Sequence, residues 1–488
     1  MMRVQLILCA IVLLLAKMTY AADLYVGAAS VDMTPELPVL LQGQFNTRTA
    51  YKVETPIFAN ALALESRDGE QSVESVVLVS VDMCTIGVQL LTAVEDVLAT
   101  EFPQFDAKSK LILTATHTHT SLVTSEKSFI VTDPKTKPAS EILDFIAHRI
   151  AQAVQNAWNG REKSTFSYGL GHAVVAYNRR SVYSDGHAVM YGNTNDPTFR
   201  KMEGMEDHDV GCMFFWNESG KLQAIGVNVS CPSQEVEGNS AINADYWAPV
   251  RESLKAKYGE DVVVLGLCGA AGDLSPHIRY RQAADDRMTK LRKFDRLHEI
   301  ARRIVNAVDE VYPVVEPVKT GDVPLVHKCE MIDVPQQKIS KELCERFRKE
   351  AEEIKTRMDA DPDKGAGGDY ARYNWTLGVV KRFESQQGVE NPTYSMPAHV
   401  VRIGDLALAT NPFELYTDFG IQMKARSRAT QLFVVQLCGS YYAFNSYVPS
   451  QYATQGGGYG AIPQSNPVGV EGGQLFTERT IELINSLF

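Results

Sequence analysis

The sequence has 488 residues and a formal net charge of −11, from 48 basic and 59 acidic residues. No basic run stands out, which argues against a nucleic-acid partner. No later segment approaches the roughly 20 apolar residues that a membrane-spanning helix needs, so we expect no transmembrane segment. The cysteines are scattered without a CxxC pair, which argues against a disulfide framework.

Residues 1–21 have the features of a secretory signal peptide. Arg3 precedes the apolar run Leu6–Ala16, and Thr19, Tyr20 and Ala21 offer a cleavage site with small flanking side chains. We therefore expect a secreted or periplasmic protein that begins near residue 22.

The first half of the remaining chain alternates between strand and helix patterns. The predicted strands are Asp23–Pro35, Ile57–Leu64, Val76–Cys84 and Leu111–Leu113, and the predicted helices are Gly87–Phe102 and Ser140–Trp158. This alternation predicts an α/β fold with a mixed, largely parallel sheet and flanking helices.

The second half predicts more strands and a helical insertion. The predicted elements are strands over Gln223–Cys231, Val262–Gly269, His399–Arg402, Leu406–Thr410 and Leu432–Cys438, with helices over Ala283–Val311 and Phe476–Leu487. Two charged amphipathic segments, Ser340–Ala360 and Tyr370–Ser385, predict a helical hairpin inserted over residues 336–395. The hairpin is either a solvated excursion or a cover for a substrate entrance.

The stretch Lys110–Ser121, KLILTATHTHTS, carries two histidines with one residue between them. On a strand, His117 and His119 point to the same face and can address one point, as two ligands or as a ligand and a proton carrier. Neutral imidazole is a common metal ligand and a general base near pH 7. The alternative is a hydrogen-bonded pair at the end of a strand.

Four further polar residues are candidates for a site. Ser275, in the motif GDLSP, follows a buried strand, where ligands bind in α/β sheets, although a simple turn is the alternative. Arg179 and Arg180 could meet an anionic or hydroxylated substrate, or one of them could form a structural ion pair. Asp245 could order a histidine or cap the helix that follows it.

Six short segments occur in a specific order along the chain: DMTP, ATHTHTS, YNRR, GDLSP, NPFE and NSYVPSQY. Together they resemble the N-terminal catalytic domain of the neutral (non-lysosomal) ceramidase family. The resemblance implies that residues 22–488 form one ceramidase-like catalytic domain. It also implies a zinc-dependent hydrolase that cleaves an amide (N-acyl) bond.

The resemblance implies a zinc ion held by His117, Glu414 and Tyr447. From the residues alone, Glu414 could instead be a charge at a helix N-terminus, and Tyr447 a packed aromatic residue. Tyr447 is also a candidate catalytic group, as a donor to the oxyanion. The remaining residues that we place at the site are His119, Ser275 and Arg179 as catalytic groups, and Arg180, Asp245 and His277 as substrate-binding groups.

One zinc ligand of the family has no counterpart in this chain. The family has a further zinc histidine after the strand that matches Gln223–Cys231, where this sequence continues Pro-Ser-Gln. Cys231 could supply a thiolate, Gln234 an oxygen, or His119 could move into the shell. The structural alternative for Cys231 is a small buried hydrophobic residue. His277, where the family more often has asparagine, offers a relocated imidazole.

Three functions follow as hypotheses. The first is a secreted, zinc-dependent amide hydrolase with a small lipid substrate. The alternative is a glycan-active hydrolase or lyase on the same scaffold, which would use histidine, tyrosine and arginine for acid–base chemistry. The third is a non-catalytic binding protein on a scaffold that has lost its chemistry.

Overall fold

The computed structural model describes residues 22–441 and 446–488, so the predicted signal peptide lies outside the described residues. The strands are β1 (Ala22–Asp32), β2 (Val39–Leu41), β3 (Arg48–Ala50), β4 (Phe58–Asp68), β5 (Gln71–Val81), β6 (Leu111–Ala115), β7 (Glu162–His172), β8 (Tyr177–Asn178), β9 (Arg180–Tyr183), β10 (Ala188–Met190), β11 (Phe199–Met202), β12 (Asp209–Asn217), β13 (Leu222–Val229), β14 (Val263–Cys268), β15 (Leu274–Ser275), β16 (Asp322–Val323), β17 (Leu325–Pro335), β18 (Thr393–Ile403), β19 (Leu406–Thr410), β20 (Glu414–Leu415), β21 (Gln431–Val435) and β22 (Tyr447–Val448). The helices are α1 (Val88–Glu101), α2 (Ala107–Lys110), α3 (Ala139–Asn159), α4 (Trp247–Tyr258), α5 (Gln282–Arg292), α6 (Arg296–Val315), α7 (Lys341–Ala360), α8 (Pro362–Lys364), α9 (Tyr370–Ser385), α10 (Thr417–Arg426), α11 (Gln451–Gly456) and α12 (Gly469–Asn485).

The largest sheet has nine strands in the order β14-β13-β12-β7-β1-β4-β5-β6, with β16 beside β1. Only the pairings at its two ends, β13 with β14 and β5 with β6, are parallel. The mixed α/β class is therefore confirmed, but the sheet is largely antiparallel, where we predicted a largely parallel one. β4 and β5 show why, because only Gly69 and Glu70 separate them. A connection that short joins antiparallel neighbours, whereas a parallel pair needs a long crossover.

A second sheet, β17-β18-β19-β21, faces the first. Successive side chains of a strand point to opposite faces. Leu62 of β4 therefore packs between the sheets with Val401 and Leu408, while its neighbour Ala61 faces the helices. Helices α1, α3, α4 and α6 cover the outer face of the large sheet, and α10 and α12 cover that of the small sheet.

The predicted insertion forms a helical hairpin between β17 and β18. Helix α7 begins after Ser340, whose side chain accepts a hydrogen bond from the Leu343 N–H at 3.1 Å. Helices α7 and α9 share a small core of their own, formed by Ile339, Cys344, Phe347, Val379 and Val380. That residues 22–488 form one domain stays a prediction. In the described ranges, no helix has the length and apolar character needed to cross a bilayer.

Candidate active site

Two histidines meet directly after β6. The strand ends at Ala115, and His117 has a left-handed backbone conformation with φ 68°, so the histidines lie on a turn and not on the strand as predicted. The N–H groups of His117 and Thr118 donate to the Met83 carbonyl at 3.0 and 3.2 Å, which fixes the turn against the end of β5. The Nε2 atoms of His117 and His119 lie 3.4 Å apart. The pair therefore does address one point, through a strained turn of the kind that recurs at functional sites.

His117 presents a lone pair to Glu414. Its Nδ1 lies 2.7 Å from the Cys84 carbonyl oxygen, which can only accept, so Nδ1 carries the proton. In the neutral ring Nε2 is then an acceptor, yet it faces Glu414 Oε2 at 3.3 Å. Two acceptors at this distance need a cation between them, which is either a proton or a metal ion. Burial opposes both charges, but the pair overcomes it, so the pKa of His117 lies well above its ordinary value and that of Glu414 below.

His119 is held by the segment that follows β13. Its Nδ1 lies 3.4 Å from Glu237 Oε2, and Gln234 Nε2 lies 2.7 Å from its Nε2. Because a carboxylate accepts, Nδ1 is the protonated nitrogen, and Nε2 accepts from Gln234 and faces His117. Arg48 fixes the arrangement by donating to the carbonyls of His119 and Glu237, at 2.6 and 2.7 Å.

Glu414 and Tyr447 lie opposite one another in the short parallel pair of β20 and β22. Arg179 donates from Nη2 to the Tyr447 hydroxyl at 3.0 Å and to the Gly272 carbonyl at 2.8 Å. Burial and the Glu414 charge raise the pKa of Tyr447 well above its ordinary value, so the phenol keeps its proton and is available as a donor.

Ser275 and His277 form a neighbouring group with Tyr191. The Ser275 hydroxyl lies 3.1 Å from both His277 Nδ1 and the Tyr191 hydroxyl. His277 Nδ1 also lies 3.7 Å from Glu237 Oε1, so Glu237 connects this group to His119. Burial lowers the pKa of His277, which keeps this imidazole neutral at pH 7.

Two predicted substrate-binding residues, Arg180 and Asp245, have hydrogen-bond or ion-pair partners within the protein. Arg180 is buried, forms an ion pair with Glu203, and donates to the Gly457 carbonyl at 2.6 Å. The Asp245 carboxylate accepts from the N–H groups of Val236 and Tyr246, at 2.9 and 2.8 Å, and so shapes the segment that carries Gln234 and Glu237. Substrate binding by Arg180 and Asp245 stays a prediction.

A cysteine completes the group around the histidines. The donor atoms of Cys84, His117 and His119 all lie within 4.8 Å of one another, the only such set of three metal-ligating side chains over residues 22–441 and 446–488. Burial opposes ionisation of Cys84, but the two imidazoles outweigh it and lower the pKa to about 6. Cys231, the cysteine that the sequence suggested, instead donates to the Val175 carbonyl at 3.6 Å, and burial raises its pKa.

A cavity of about 610 Å³ leads to Glu414 and Tyr447. Helix α9 of the inserted hairpin forms one wall through Trp375, Val379 and Arg382, and residues 459–467 line the other side. The hairpin therefore covers this approach to the site, which is one of the two alternatives that the sequence left open.

The sequence analysis missed Cys84 and Glu237. Cys84 follows β5, which pairs in parallel with β6, and the carboxyl ends of parallel neighbours meet at one edge. That rule could have placed Cys84 beside the histidines. Glu237 lies on an irregular segment between β13 and α4, where no periodicity marks its direction.

The fold and the site define an α/β protein with a buried centre of imidazoles, a carboxylate and a phenol. No protein-family model matches the sequence, and no curated protein matches it. Among solved structures, it is similar to a neutral ceramidase from Pseudomonas aeruginosa, with a TM-score of 0.68 and 16% identity. It is also similar to a ceramidase complexed with C2, with a TM-score of 0.65 and 14% identity.

These alignments cover 96% of this chain and 74% and 75% of the two ceramidase chains, respectively. The chain therefore has the neutral ceramidase fold. At these identities the likeness is one of fold, and it agrees with the resemblance seen in the ordered motifs.

Proposed function

We propose that this protein is a metal-dependent hydrolase that cleaves an amide (N-acyl) bond. The observation that carries the proposal is that two buried acceptors, His117 Nε2 and Glu414 Oε2, face each other at 3.3 Å, with His119 Nε2 3.4 Å from the same nitrogen of His117. The ceramidase fold supports an amide as the bond that is cleaved.

Two pairs of donor atoms, both of which include His117 Nε2, have the spacing that a tetrahedral divalent ion needs. Ligands bound at about 2.0–2.1 Å in a tetrahedron lie about 3.3–3.4 Å apart. The separations from His117 Nε2 are 3.3 Å to Glu414 Oε2 and 3.4 Å to His119 Nε2. His117 and Glu414 would hold the ion, with His119, Tyr447 and Cys84 available to complete its shell. Nitrogen, oxygen and sulfur donors together suit zinc, which we propose as the ion.

The side chains around this centre have distinct roles in amide hydrolysis. When bound, zinc supplies the Lewis acidity that makes a water nucleophilic near neutral pH. Tyr447 donates a hydrogen bond to the carbonyl oxygen of the substrate as negative charge develops there, and Arg179 holds the phenol in position. His119, whose Nδ1 faces Glu237, carries a proton to the leaving nitrogen.

Amine release from short-chain ceramide and other N-acyl compounds tests this function. We expect turnover by the purified chain, and its loss in Glu414→Gln because that change removes the carboxylate at the centre. Glu471→Gln, at an exposed position, is the matched control and should retain turnover. Failure of the wild-type protein to hydrolyse any amide in the panel would contradict the proposal.

We also propose that residues 1–21 direct export. N-terminal sequencing of the protein recovered outside the cytoplasm of producing cells should find a start at Ala22 or Asp23. A protein that stays in the cytoplasm with Met1 in place would contradict export.

A further inference from the structure

In the part of the chain that the structure describes, the cavity that leads to Glu414 contains a positive charge without an ion-pair partner. Arg382, in the last turn of α9, lines this cavity. Its Nη2 donates to the Pro463 carbonyl at 2.7 Å, while its Nε is buried and makes no hydrogen bond. Burial lowers the pKa of Arg382 to about 10, and the guanidinium is therefore still charged at neutral pH.

Arg382 is half-buried and has fewer partners than the buried arginines. Arg48 and Arg179 each donate to two or more protein oxygens. Arg180 forms an ion pair with Glu203, and Arg251 forms one with Asp82 at 2.6 Å. A cation near a helix C-terminus interacts favourably with the helix dipole, but an exposed side chain would gain the same benefit. A half-buried charge without an ion-pair partner is costly, so its presence in a cavity wall points to a ligand that supplies the partner.

The rest of the cavity offers a second cation and an aromatic wall. Lys381 adds a second positive charge to the same wall, and among the described residues the buried side-chain oxygen of Gln464 has no hydrogen-bond partner. Of the lining residues in the described part of the chain, Glu414 alone is acidic. An anion would therefore meet two cations here, and an apolar group would pack against the rings of Trp375, Tyr394 and Tyr459.

We propose that the substrate of this site is an N-acyl compound with an anionic group, such as a carboxylate, and that Arg382 binds this group. The inference rests on the proposed function, because it names the class of amide that is cleaved. It sets the substrate of this chain apart from an uncharged ceramide.

Two matched pairs of amides test the charge preference. N-octanoylglycine and its uncharged primary amide, N-octanoylglycinamide, place the anion on the amine side. N-succinylaniline and its terminal amide place the anion on the acyl side. A charge-assisted hydrogen bond predicts that kcat/KM is at least about tenfold higher for the anionic member of one pair. Equal rates within both pairs, or a preference for the uncharged members, would overturn the proposal.

Substitutions of Arg382 test whether this residue causes the preference for anionic substrates. In Arg382→Met the ratio of the two kcat/KM values should fall to about one, and Arg382→Lys should restore part of it because it keeps the charge. Arg348→Met is the control, because Arg348 belongs to the same hairpin but is exposed and pairs with Glu384. If Arg382→Met does not fold, Lys381→Gln should lower the same ratio. A ratio unchanged in both variants would overturn the proposal.

Calorimetric measurement of the binding of the same compounds distinguishes a failure of the proposed hydrolase function from a failure of the proposed anion site. If no amide is hydrolysed, the proposed function fails, but the anion site still predicts binding of one carboxylate compound at least about tenfold tighter than its amide. Equal or undetectable binding within both pairs would overturn the anion site.

Discussion

The proton on His117 is placed by the protein backbone. Because Nδ1 donates to the Cys84 carbonyl, Nε2 must face Glu414 either as the proton donor of an imidazolium or as the ligand of a metal ion. The two states exclude one another at one nitrogen. Proton binding and metal binding at this centre therefore compete.

This competition predicts that metal affinity rises with pH. The pKa of His117 lies well above its ordinary value of 6.5, so the proton still competes with the metal at neutral pH. A titration with a chromophoric chelator between about pH 6 and pH 9 should show tighter binding at each higher pH. Glu414→Gln should weaken binding and also reduce this dependence, because the carboxylate, together with Cys84, raises the pKa of His117. A dissociation constant that does not change with pH would contradict this account of the centre.

Tyr447 has two possible roles, and one substitution distinguishes them. Tyr447→Phe removes the donor to the oxyanion, so kcat should fall about 10²- to 10³-fold with a smaller change in KM. If the phenol acts only as a donor, the metal content should not change, whereas loss of metal would show that it is a ligand. Tyr452→Phe, at a tyrosine that is 47% exposed on α11, is the control. Full activity in Tyr447→Phe would contradict both roles.

At the scale of secondary-structure elements, the helical hairpin is an insertion between two paired strands, β17 and β18. Pro335 and Thr393 face each other in the ladder of β17 and β18, so the sheet is continuous without the residues between them. The hairpin core is also separate from the cores of the two sheets. The hairpin therefore contributes to the cavity wall more than to the stability of the sheets.

Excision of the hairpin tests that separation. Replacing residues 336–392 by an Asn-Gly turn should leave a folded protein, because such a turn joins antiparallel strands directly. Metal content should be retained, since none of the proposed ligands lies in the excised segment. Substrate affinity should fall, because the wall formed by α9 is lost. An unchanged KM would show that the hairpin plays no part in binding.

Helix α6 is secured by a carboxylate that has no exposure to solvent. Glu299 accepts from Arg302 and Arg303 at 2.9 Å and from Arg292 at 3.2 Å. Burial opposes its charge, but the arginines outweigh it and lower the pKa from 4.5 to about 2. Because the folded pKa is the lower one, this stabilisation is present above pH 4.5 and is lost as the pH falls toward 2.

Glu299→Gln should lower the free energy of unfolding at neutral pH by about 2 kcal/mol or more. This is less than the roughly 3–5 kcal/mol lost when a fully buried ion pair is broken, because the arginines are partly exposed. The difference from the wild type should shrink as the pH falls below 4.5, which urea unfolding at several pH values measures. Glu310→Gln, at an exposed position on the same helix, should have little effect. A difference that does not depend on pH would contradict the ion-pair explanation.

Across the whole molecule, local patterns predicted the elements better than their pairing. The insertion and most helical segments were predicted because amphipathic spacing is a local property. The predicted single helix Ala283–Val311 was wrong in one respect, because the structure divides it into α5 and α6 at the left-handed residue Lys293. The antiparallel pairing of β4 with β5 depends on the two-residue connection at Gly69. The direction of such a pairing cannot be predicted when strands are identified without the turns that join them.

At the site, too, short sequence motifs identified some residues, whereas contacts between distant segments could not be predicted. Glu414 and Tyr447 were placed beside His117 by the resemblance of short motifs, because no spacing rule joins residues so far apart in the chain. A structural ion pair was the alternative for one of the two arginines, and Arg180 forms it, but its partner Glu203 could not be predicted because the two segments meet only in the folded chain. The role of Glu237 likewise depends on an irregular segment that Asp245 and Arg48 hold in place.

The metal content of the purified protein tests the central claim most directly. Elemental mass spectrometry should find about one divalent ion per chain in the wild type. The same content is expected in His172→Ala, whose imidazole is 68% exposed, and none in His117→Ala. A His117→Ala variant that keeps the full metal content, or a metal-free wild type that hydrolyses amides at the full rate, would contradict the account.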